Sequence, residues 1–479
     1  MNPRTLAAIW AGKAAGGASR LLGRGGGTAI AGVVAERIDP RIVANLAPQA
    51  RAGAIAITGT NGKTTTSLML NRIVTAAGYA PLHNMSGSNM MRGLAATLLD
   101  AASPTGVIPN ARKRLAVLEV DEATLPAIVS AVHPRVIVFT NLFRDQLDRY
   151  GEVDTVATLW ERALALANLT PRPPLHGTGE GELSEPALVL NADDPAVAHL
   201  GKQARGRVLY YGIDDASAAA PDVEHASDFR QCLDCGRTLT YGVTFYGHIG
   251  HWRCEHCGNA RPTPDISVRQ VTLGDDITAL DVMLPDGRLR IALPLAGLYN
   301  AYNGLAATAG ALALGIRHEA ILTALENFSA AFGRQERFLV DGRDVQMLLG
   351  KNPTGLNQVM RTLASRPGRK RVLFFLNDGF ADGRDISWIW DADYEVLQPQ
   401  TEWTLAAGTR AEDLALRLKY AGYGANVAVQ RDAGAAIEAA VAATPAGETL
   451  YVLPTYTAML ESREILAKKS GSRRFWEDA

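Results

Sequence analysis

Residues 58–66 read Thr-Gly-Thr-Asn-Gly-Lys-Thr-Thr-Thr, and this stretch decides how the first half of the chain folds. It follows the apolar run 54–57 and precedes a helix-prone segment over 64–77. A glycine-rich loop between a strand and a helix turns backbone N–H groups and the positive end of the helix dipole toward a bound phosphate. A plain glycine turn is the alternative, but the strand–loop–helix order favours a nucleotide-binding loop.

Individual loop residues have separate expected roles. Lys63 would reach the β- and γ-phosphates, and the Thr64 hydroxyl would bind Mg²⁺. The spacing is shorter than in the general phosphate-loop pattern, because only two residues separate Gly59 from Gly62. The predicted ATP-binding residues of the loop are Gly59, Thr60, Asn61, Gly62, Lys63, Thr64 and Thr65.

Length and charge limit the function classes. A chain of 479 residues is too long for one core, and its length predicts roughly three units. Lys and Arg total 48 against 49 Asp and Glu, so the chain lacks the excess of basic residues that would indicate a nucleic-acid partner. No run of 18 apolar residues and no signal peptide is recognisable, so we expect a cytoplasmic protein.

Apolar runs alternate with helical patterns along most of the chain, which predicts α/β units with largely parallel sheets. The predicted strands cover 115–120, 135–140, 187–191 and 208–211, and then 371–376, 403–406 and 450–453. We predict a helical extension over 1–50, a central ATP-binding domain over 51–332 and a C-terminal α/β domain over 333–479. An insertion at about 227–264 differs in composition, since it is rich in Cys, Gly, His and aromatic residues.

This insertion contains all four cysteines of the chain. They form two Cys-x-x-Cys pairs, Cys232 with Cys235 and Cys254 with Cys257, and 18 residues separate the pairs. That spacing predicts a structural zinc ribbon. Four thiolates fill a tetrahedral Zn²⁺ site, so the nearby histidines 248, 251 and 256 are expected to be surface or supporting residues. No thiol is then left to act as a nucleophile.

Further motifs follow the loop in a recognisable order. The segments 140–151, 191–195, 297–303 and 333–336 resemble conserved segments of the Mur ligases and folylpolyglutamate synthetases, as does the loop itself. The ribbon and the segments 350–355 and 377–388 are most similar to the ligase-like subunits of lipid II isoglutaminyl synthases. The resemblance implies a Mur-ligase-like central P-loop ATPase domain with an inserted zinc ribbon, and a Rossmann-like C-terminal domain.

The resemblance also implies site residues outside the loop. Glu119 matches a metal-binding glutamate and would complete the Mg²⁺ site with Thr64, although Asp121 and Glu122 leave this assignment open by a residue or two. A structural salt bridge is the alternative for these carboxylates. Asn300 would bind adenine with Asn303 in support, or both would cap a helix. Arg334 would reach ATP from the junction between the two later domains.

The implied reaction joins ammonia to the α-carboxylate of D-glutamate in the lipid II stem peptide, giving D-isoglutamine. The carboxylate would attack the γ-phosphate of ATP to give an acyl phosphate, and cations must offset the repulsion between these two anions. Lys63 and a magnesium ion meet that need. A standalone ligase that adds an amino acid is the alternative.

The nitrogen donor must come from outside this chain. A glutaminase of the cysteine type needs a Cys nucleophile, a His base and an orienting carboxylate. The resemblance implies a GatD-type glutaminase partner whose Cys-His pair is completed by Asp385, so Asp385 and Lys63 are the predicted catalytic residues. A loop aspartate that caps the Trp388 segment is the alternative, and Asp382 is the nearest rival. The protein would meet lipid II at the inner face of the membrane.

Two departures from ordinary Mur ligases carry a hypothesis. Gln146 stands where a histidine would bind a second magnesium ion, and Arg162 falls near the place of a modified lysine. Because ammonia arrives neutral, we expect this second metal site to be reduced or absent. A nucleic-acid-binding ribbon, with Arg230, Arg237, Arg253 and Arg261, is the remaining alternative, and the near-neutral net charge of -1 argues against it.

Overall fold

The computed structural model describes residues 2–21, 28–84, 88–145, 153–167, 185–220, 228–329, 334–425 and 427–471. Gln146 and the predicted boundary at 332–333 lie outside these ranges. Within them the chain builds two α/β units, each with its own sheet, and a small two-stranded hairpin. The first sheet ends before residue 294, and the second begins at Arg334.

The first sheet has nine strands in the order β11-β10-β9-β6-β5-β4-β1-β3-β2. The strands of this unit are β1 Gly53–Thr58, β2 Ala80–His83, β3 Arg114–Glu119, β4 Val136–Phe139, β5 Ala187–Asn191, β6 Val208–Ile213, β7 Thr240–Tyr246, β8 Ile249–Arg253, β9 Ile266–Leu273, β10 Thr278–Leu284 and β11 Gly287–Leu293. In this spatial order, the strands from β9 across to β2 run parallel to one another, while β10 and β11 add an antiparallel edge. Strands β7 and β8 form the separate hairpin.

Helices cover both faces of this sheet. They are α1 Pro3–Leu21, α2 Thr28–Ile38, α3 Ile42–Leu46, α4 Lys63–Ala76, α5 Met91–Ala101, α6 Leu125–Val132, α7 Val153–Ala167, α8 Pro195–His199, α9 Leu298–Ala313 and α10 His318–Glu326. Strand β1 shows how the two faces are divided: Ile55 and Ile57 enter one core with α4, α9 and α10, and Ala54 and Ala56 enter the other. Successive side chains of a strand point to opposite faces, and an all-apolar strand is therefore buried on both.

The N-terminal helices belong to the second of these cores. Ala8 and Ile9 of α1 and Ala35 of α2 are buried there together with Leu94 and Leu99 of α5. The segment is thus docked on the central unit by apolar packing. No helix in the described part of the chain is both long and apolar enough to cross a membrane.

The second sheet has six strands in the order β12-β13-β17-β14-β15-β16, parallel except for the pair β12 and β13. Its strands are β12 Arg334–Val340, β13 Arg343–Leu348, β14 Lys370–Phe375, β15 Thr401–Ala407, β16 Ala428–Gln430 and β17 Thr449–Pro454. Its helices are α11 Pro353–Ala364, α12 Ala411–Tyr420, α13 Ala433–Ala443 and α14 Tyr456–Ser470. Apolar cores on both faces confirm the predicted Rossmann-like class. The carboxyl end of β14 leads directly into the loop that carries Asp385.

Candidate active site

The loop between β1 and α4 has a shape that only glycine permits at two positions. Gly59 and Gly62 have φ angles of 132° and 86°, a region that other residues rarely adopt. A Cβ atom on Gly59 would lie 2.1 Å from the Thr140 hydroxyl, and one on Gly62 would lie 2.1 Å from the Asn303 Oδ1 atom. Because Gly59 and Gly62 have no side chain, the loop backbone lies directly against Thr140 and Asn303 before α4 begins at Lys63.

The segment after β4 holds this loop in place. Thr60 donates its backbone N–H to the Asn141 carbonyl at 2.9 Å, and Asn61 donates its backbone N–H to Asn141 Oδ1 at 2.8 Å. The Thr140 hydroxyl donates to the Asn61 carbonyl at 2.8 Å. Thr140 and Asn141 therefore support the phosphate loop, because their polar groups form hydrogen bonds with the loop backbone.

Lys63 points back into the loop and is almost fully buried. Its Nζ lies 3.1 Å from both carboxylate oxygens of Glu122 and also donates to the Gly59 carbonyl. Burial lowers the pKa of Lys63, but the carboxylates of Glu122, Asp121 and Glu119 outweigh it and raise the pKa above its ordinary value. The raised pKa favours the charged ammonium form of Lys63. Glu122 makes the salt bridge that was the alternative interpretation of this acidic cluster.

Glu119 is placed differently from Glu122. It ends β3, is 3% exposed, and its Oε2 atom has no hydrogen-bond partner. Asn84 clamps the Glu119 backbone by two 2.8 Å bonds, which leaves the carboxylate itself uncommitted. A buried carboxylate oxygen without a partner is costly unless a cation binds it. Glu119 and Thr64 border the same cavity, so these residues fit the magnesium ion that the resemblance implies.

A second cavity of about 840 Å³ lies beside the loop, toward α9. Asn300 donates to the Ala296 carbonyl at 2.8 Å, and Asn303 donates to Asn300 Oδ1 at 3.1 Å. The capping alternative is not seen in these bonds, because the helix cap is Gly297 and no side chain caps it. Both asparagines also line the cavity, together with Tyr246 and Phe328. The mixed amide and aromatic lining suits a purine base.

Sequence reasoning missed several members of this wall, among them Gln335. Gln335 lines the cavity and exchanges two hydrogen bonds with the Ala296 backbone, at 2.8 and 3.1 Å. The backbone of Gln335 is in the left-handed region, with a φ angle of 63°. The signal available in the sequence was a polar residue directly after Arg334 in the Gly-Arg-x-Glu segment. Arg334 itself begins β12 opposite Leu348, and its contact with ATP stays a prediction.

The C-terminal domain closes over the phosphate loop through the segment before α11. Asn352 donates its side-chain amide to Asn61 Oδ1 at 3.0 Å and caps α11 by accepting from the Gly355 N–H at 2.8 Å. Next to it, the Lys351 ammonium pairs with Asp145 of the central domain. Two side-chain contacts therefore link the second domain directly to the nucleotide site.

Asp385 lies at a third cavity, of about 540 Å³, which Arg144 and Asp145 of the central domain also line. Its side chain is exposed and accepts the Ser387 N–H at 2.8 Å, which lowers the pKa of Asp385. The capping alternative is thus present, and the outer face of the carboxylate still meets solvent. Asp382, by contrast, is buried and accepts both the N–H and the hydroxyl of Thr457, at 2.8 and 2.5 Å.

The four cysteines of the insertion come together at the base of the β7–β8 hairpin. Their sulfur atoms all lie within 4.8 Å of one another and none forms a disulfide. Four thiols in such a cluster fit a tetrahedral Zn²⁺ ion. One histidine departs from expectation: His248 is not a surface residue but is fully buried at the hairpin tip, 4.4 Å from the Phe143 ring. An aromatic pocket at the tip, rather than the zinc, decides its position.

Arg162 is exposed on α7, and its proposed correspondence to the modified lysine stays a prediction. The hypothesis of a reduced second metal site stays a prediction, because Gln146 is not among the described residues.

Comparisons with known proteins agree with this geometry. The family profile of the Mur ligase middle domain matches residues 57–249, and that of the MurT ligase C-terminal domain matches 349–459. The chain is 34% identical over 467 residues to the MurT subunit of the glutamine-hydrolyzing lipid II isoglutaminyl synthase of Staphylococcus aureus, covering 97% of this chain and 98% of that one. It is 32% identical to the Streptococcus pneumoniae MurT subunit, covering 99% of each.

Among solved structures, a pseudomurein peptide ligase type C from Methanothermus fervidus has the same fold. The two superpose with a TM-score of 0.63 at 23% identity, over 87% of this chain and 78% of that one. At this level of identity the likeness concerns the fold alone. The full-length similarity to the two MurT subunits decides the family: the chain belongs to the MurT family of Mur-ligase-like proteins and is an ATP-dependent ligase.

Proposed function

We propose that this chain is the ligase subunit of a lipid II isoglutaminyl synthase in peptidoglycan synthesis. Its substrate would be the α-carboxylate of D-glutamate in the lipid II stem peptide, and its product the D-isoglutamine amide. The observation that carries this proposal is that one cavity is lined by the buried Lys63 cation and by Glu119, whose buried Oε2 atom has no hydrogen-bond partner. The MurT relatives, which are named for that synthase, supply the substrate class.

The chemistry has two steps. A carboxylate oxygen attacks the γ-phosphorus of ATP, ADP leaves, and an acyl phosphate results. The nitrogen lone pair of ammonia then attacks the acyl carbon, phosphate leaves with the bonding pair, and the nitrogen loses a proton. In the first step Lys63 offsets the repulsion between two anions from a buried position, where electrostatic effects are stronger than in water.

Magnesium would supply further charge neutralisation at the β- and γ-phosphates. Thr64 and Glu119 are the residues that would hold it, because both are buried at the same cavity. Glu122 has another task. It pairs with Lys63 at 3.1 Å and keeps the ammonium charged and in the loop until phosphate arrives.

Ammonia would come from a GatD-type glutaminase. All four cysteines of the chain lie in the cluster at the ribbon, so no thiol is available to open glutamine here. Asp385 is exposed at the edge of a cavity and is ionised at neutral pH, and the Ser387 N–H lowers its already acidic pKa further. Such a carboxylate can hold a partner's histidine in the tautomer that accepts the thiol proton.

The test is a reconstitution. The full chain, purified with its co-expressed glutaminase, is given lipid II, ATP and glutamine. We expect ADP release together with a product whose mass fits replacement of one hydroxyl by an amino group. An addition of a whole amino acid would favour the standalone ligase instead. Absence of nucleotide turnover with every nitrogen donor would refute the proposal.

A further inference from the structure

The β7–β8 hairpin of the insertion reaches from the cysteine cluster into the core of the central domain. The strands extend roughly 20 Å, at about 3.3 Å per residue. At the tip, Phe245, Tyr246 and Ile249 are 0–3% exposed and pack in the core that also contains α4 and α9. A zinc ribbon that served only to clip a surface insertion would not need this buried tip.

Tyr246 touches both halves of the nucleotide site. Its ring lies 5.6 Å from that of Tyr302, edge to face, and Tyr302 sits on α9 between Asn300 and Asn303. On its other side it stacks on Phe143 at 6.1 Å. Phe143 in turn exchanges two hydrogen bonds with Thr60 of the phosphate loop, at 2.9 and 3.1 Å. Tyr246 also lines the 840 Å³ cavity directly.

A buried ion pair links the ribbon to Asp193, and Asp193 in turn contacts α9. Arg261 follows the second cysteine pair and contacts Asp193 at 2.5 Å and Asp214 at 3.0 Å. Asp193 also accepts the Tyr302 hydroxyl at 2.7 Å. The ribbon thus reaches Tyr302 of α9 by two routes: the ring of Tyr246 contacts it directly, and Arg261 contacts it through Asp193. In β8, the Gly250 backbone N–H donates to the Asp193 carbonyl at 2.9 Å.

We infer that the zinc ribbon is part of the nucleotide site, with Tyr246 as an aromatic wall for the purine base. Zinc at the base of the hairpin fixes β7 against β8 and so keeps that wall in position. This inference rests on the proposed nucleotide site. It gives the insertion a specific role: a positioning element for ATP, coupled to a metal that takes no part in the reaction.

The first test replaces the ring and keeps the zinc. ATP affinity is measured by calorimetry for the full-length Tyr246→Leu chain, with Tyr246→Phe as the matched control. We expect about tenfold weaker ATP binding for the leucine variant, since base–aromatic contacts are worth that much, and near-normal binding for phenylalanine. Inorganic tripolyphosphate, which has no base, should lose less affinity. Unchanged ATP affinity in Tyr246→Leu overturns the inference.

The second test removes the metal. Cys257→Ser, at the exposed cysteine, should lower zinc content and weaken ATP binding by about tenfold. Glu255→Gln, an exposed change in the same ribbon, should leave both unchanged. Zinc-poor protein that stays folded by circular dichroism and binds ATP normally contradicts the inference. If it unfolds, the zinc-containing Tyr246→Leu chain decides. A wild-type chain that binds no ATP refutes the nucleotide site itself.

Discussion

The phosphate loop and the Asp385 loop both present charged groups for catalysis, yet they are built in opposite ways. Lys63 and Glu119 are 6% and 3% exposed and are held by neighbours within the chain. Asp385 is exposed and accepts hydrogen bonds from the backbone and the side chain of Ser387. In the proposed function, the charged groups that this chain supplies for phosphoryl transfer are therefore already in place within the polypeptide. The second site stays open because, in the proposed function, the groups that complete it belong to another subunit.

The sharpest way to break this comparison is Lys63→Met. Removing the buried ammonium leaves the carboxylate and ATP without their fixed counter-charge, so we expect amidation to fall by about 10³-fold or more, with glutamine and with ammonium alike. Coupled ADP release measures the effect. Lys202→Met, an exposed lysine on the ribbon side, is the control and should be silent. Survival of ammonium-driven amidation in Lys63→Met would mean that the loop is not the site of activation.

Asp385→Asn should separate the two nitrogen sources. An amide cannot stabilise a partner's imidazolium, so glutamine-dependent amidation should fall by about 10²- to 10⁴-fold while ammonium-dependent amidation persists. Both rates are read as product formation by mass spectrometry. Asp391→Asn makes the same change at the same cavity and should retain glutamine-dependent activity. Equal loss of both activities in Asp385→Asn would assign this residue to the ATP site or to folding.

Glu119→Gln sharpens the comparison within the buried site. The change keeps the size of the side chain and removes the charge, so the magnesium concentration that gives half-maximal activity should rise by about tenfold or more. A magnesium titration at saturating ATP measures it. Glu122→Gln is the informative partner variant, since Glu122 already pairs with Lys63. A larger magnesium shift in Glu122→Gln would move the metal ligand to that residue.

The smallest effect on chemistry is expected at Asp382. This carboxylate is buried and accepts bonds from Thr457 and Gly379, so Asp382→Asn should cost about 1–3 kcal/mol in free energy of unfolding. Urea denaturation measures the loss. Among correctly folded molecules, glutamine- and ammonium-driven rates should keep their normal ratio. Loss of the glutamine-driven rate alone would make Asp382, rather than Asp385, the residue that serves the partner.

Local pattern carried much of this prediction. Strand, glycine loop and helix lie next to one another in sequence, so the order of residues 54–77 was enough to place the loop, and two cysteine pairs were enough to predict the cluster. The α/β class of the second unit also followed from its apolar runs, whereas its Rossmann-like assignment came from the family resemblance. In each case the residues that decide the structure are neighbours along the chain.

Long-range contacts were not predictable in this way. Lys63 pairs with Glu122 across 59 positions, and Lys351 pairs with Asp145 across 206. No spacing rule encodes such pairs, because they depend on how two loops end at one sheet edge. Tyr246 illustrates the same limit. Inside a cysteine-rich insertion an aromatic residue suggests ribbon packing, and only the path of the hairpin brings it to the cavity beside α9.

The buried contact between Arg261 and Asp193 has a consequence for engineering. Replacing residues 228–264 with a flexible linker would delete the Arg261 guanidinium. Asp193, which is fully buried, would then have no counterion. A lone charge in such a place costs about 3–5 kcal/mol, a large part of the stability of an ordinary domain. Any minimal or chimeric version of this ATPase domain must therefore carry the insertion with it, or replace Asp193 and Arg261 together.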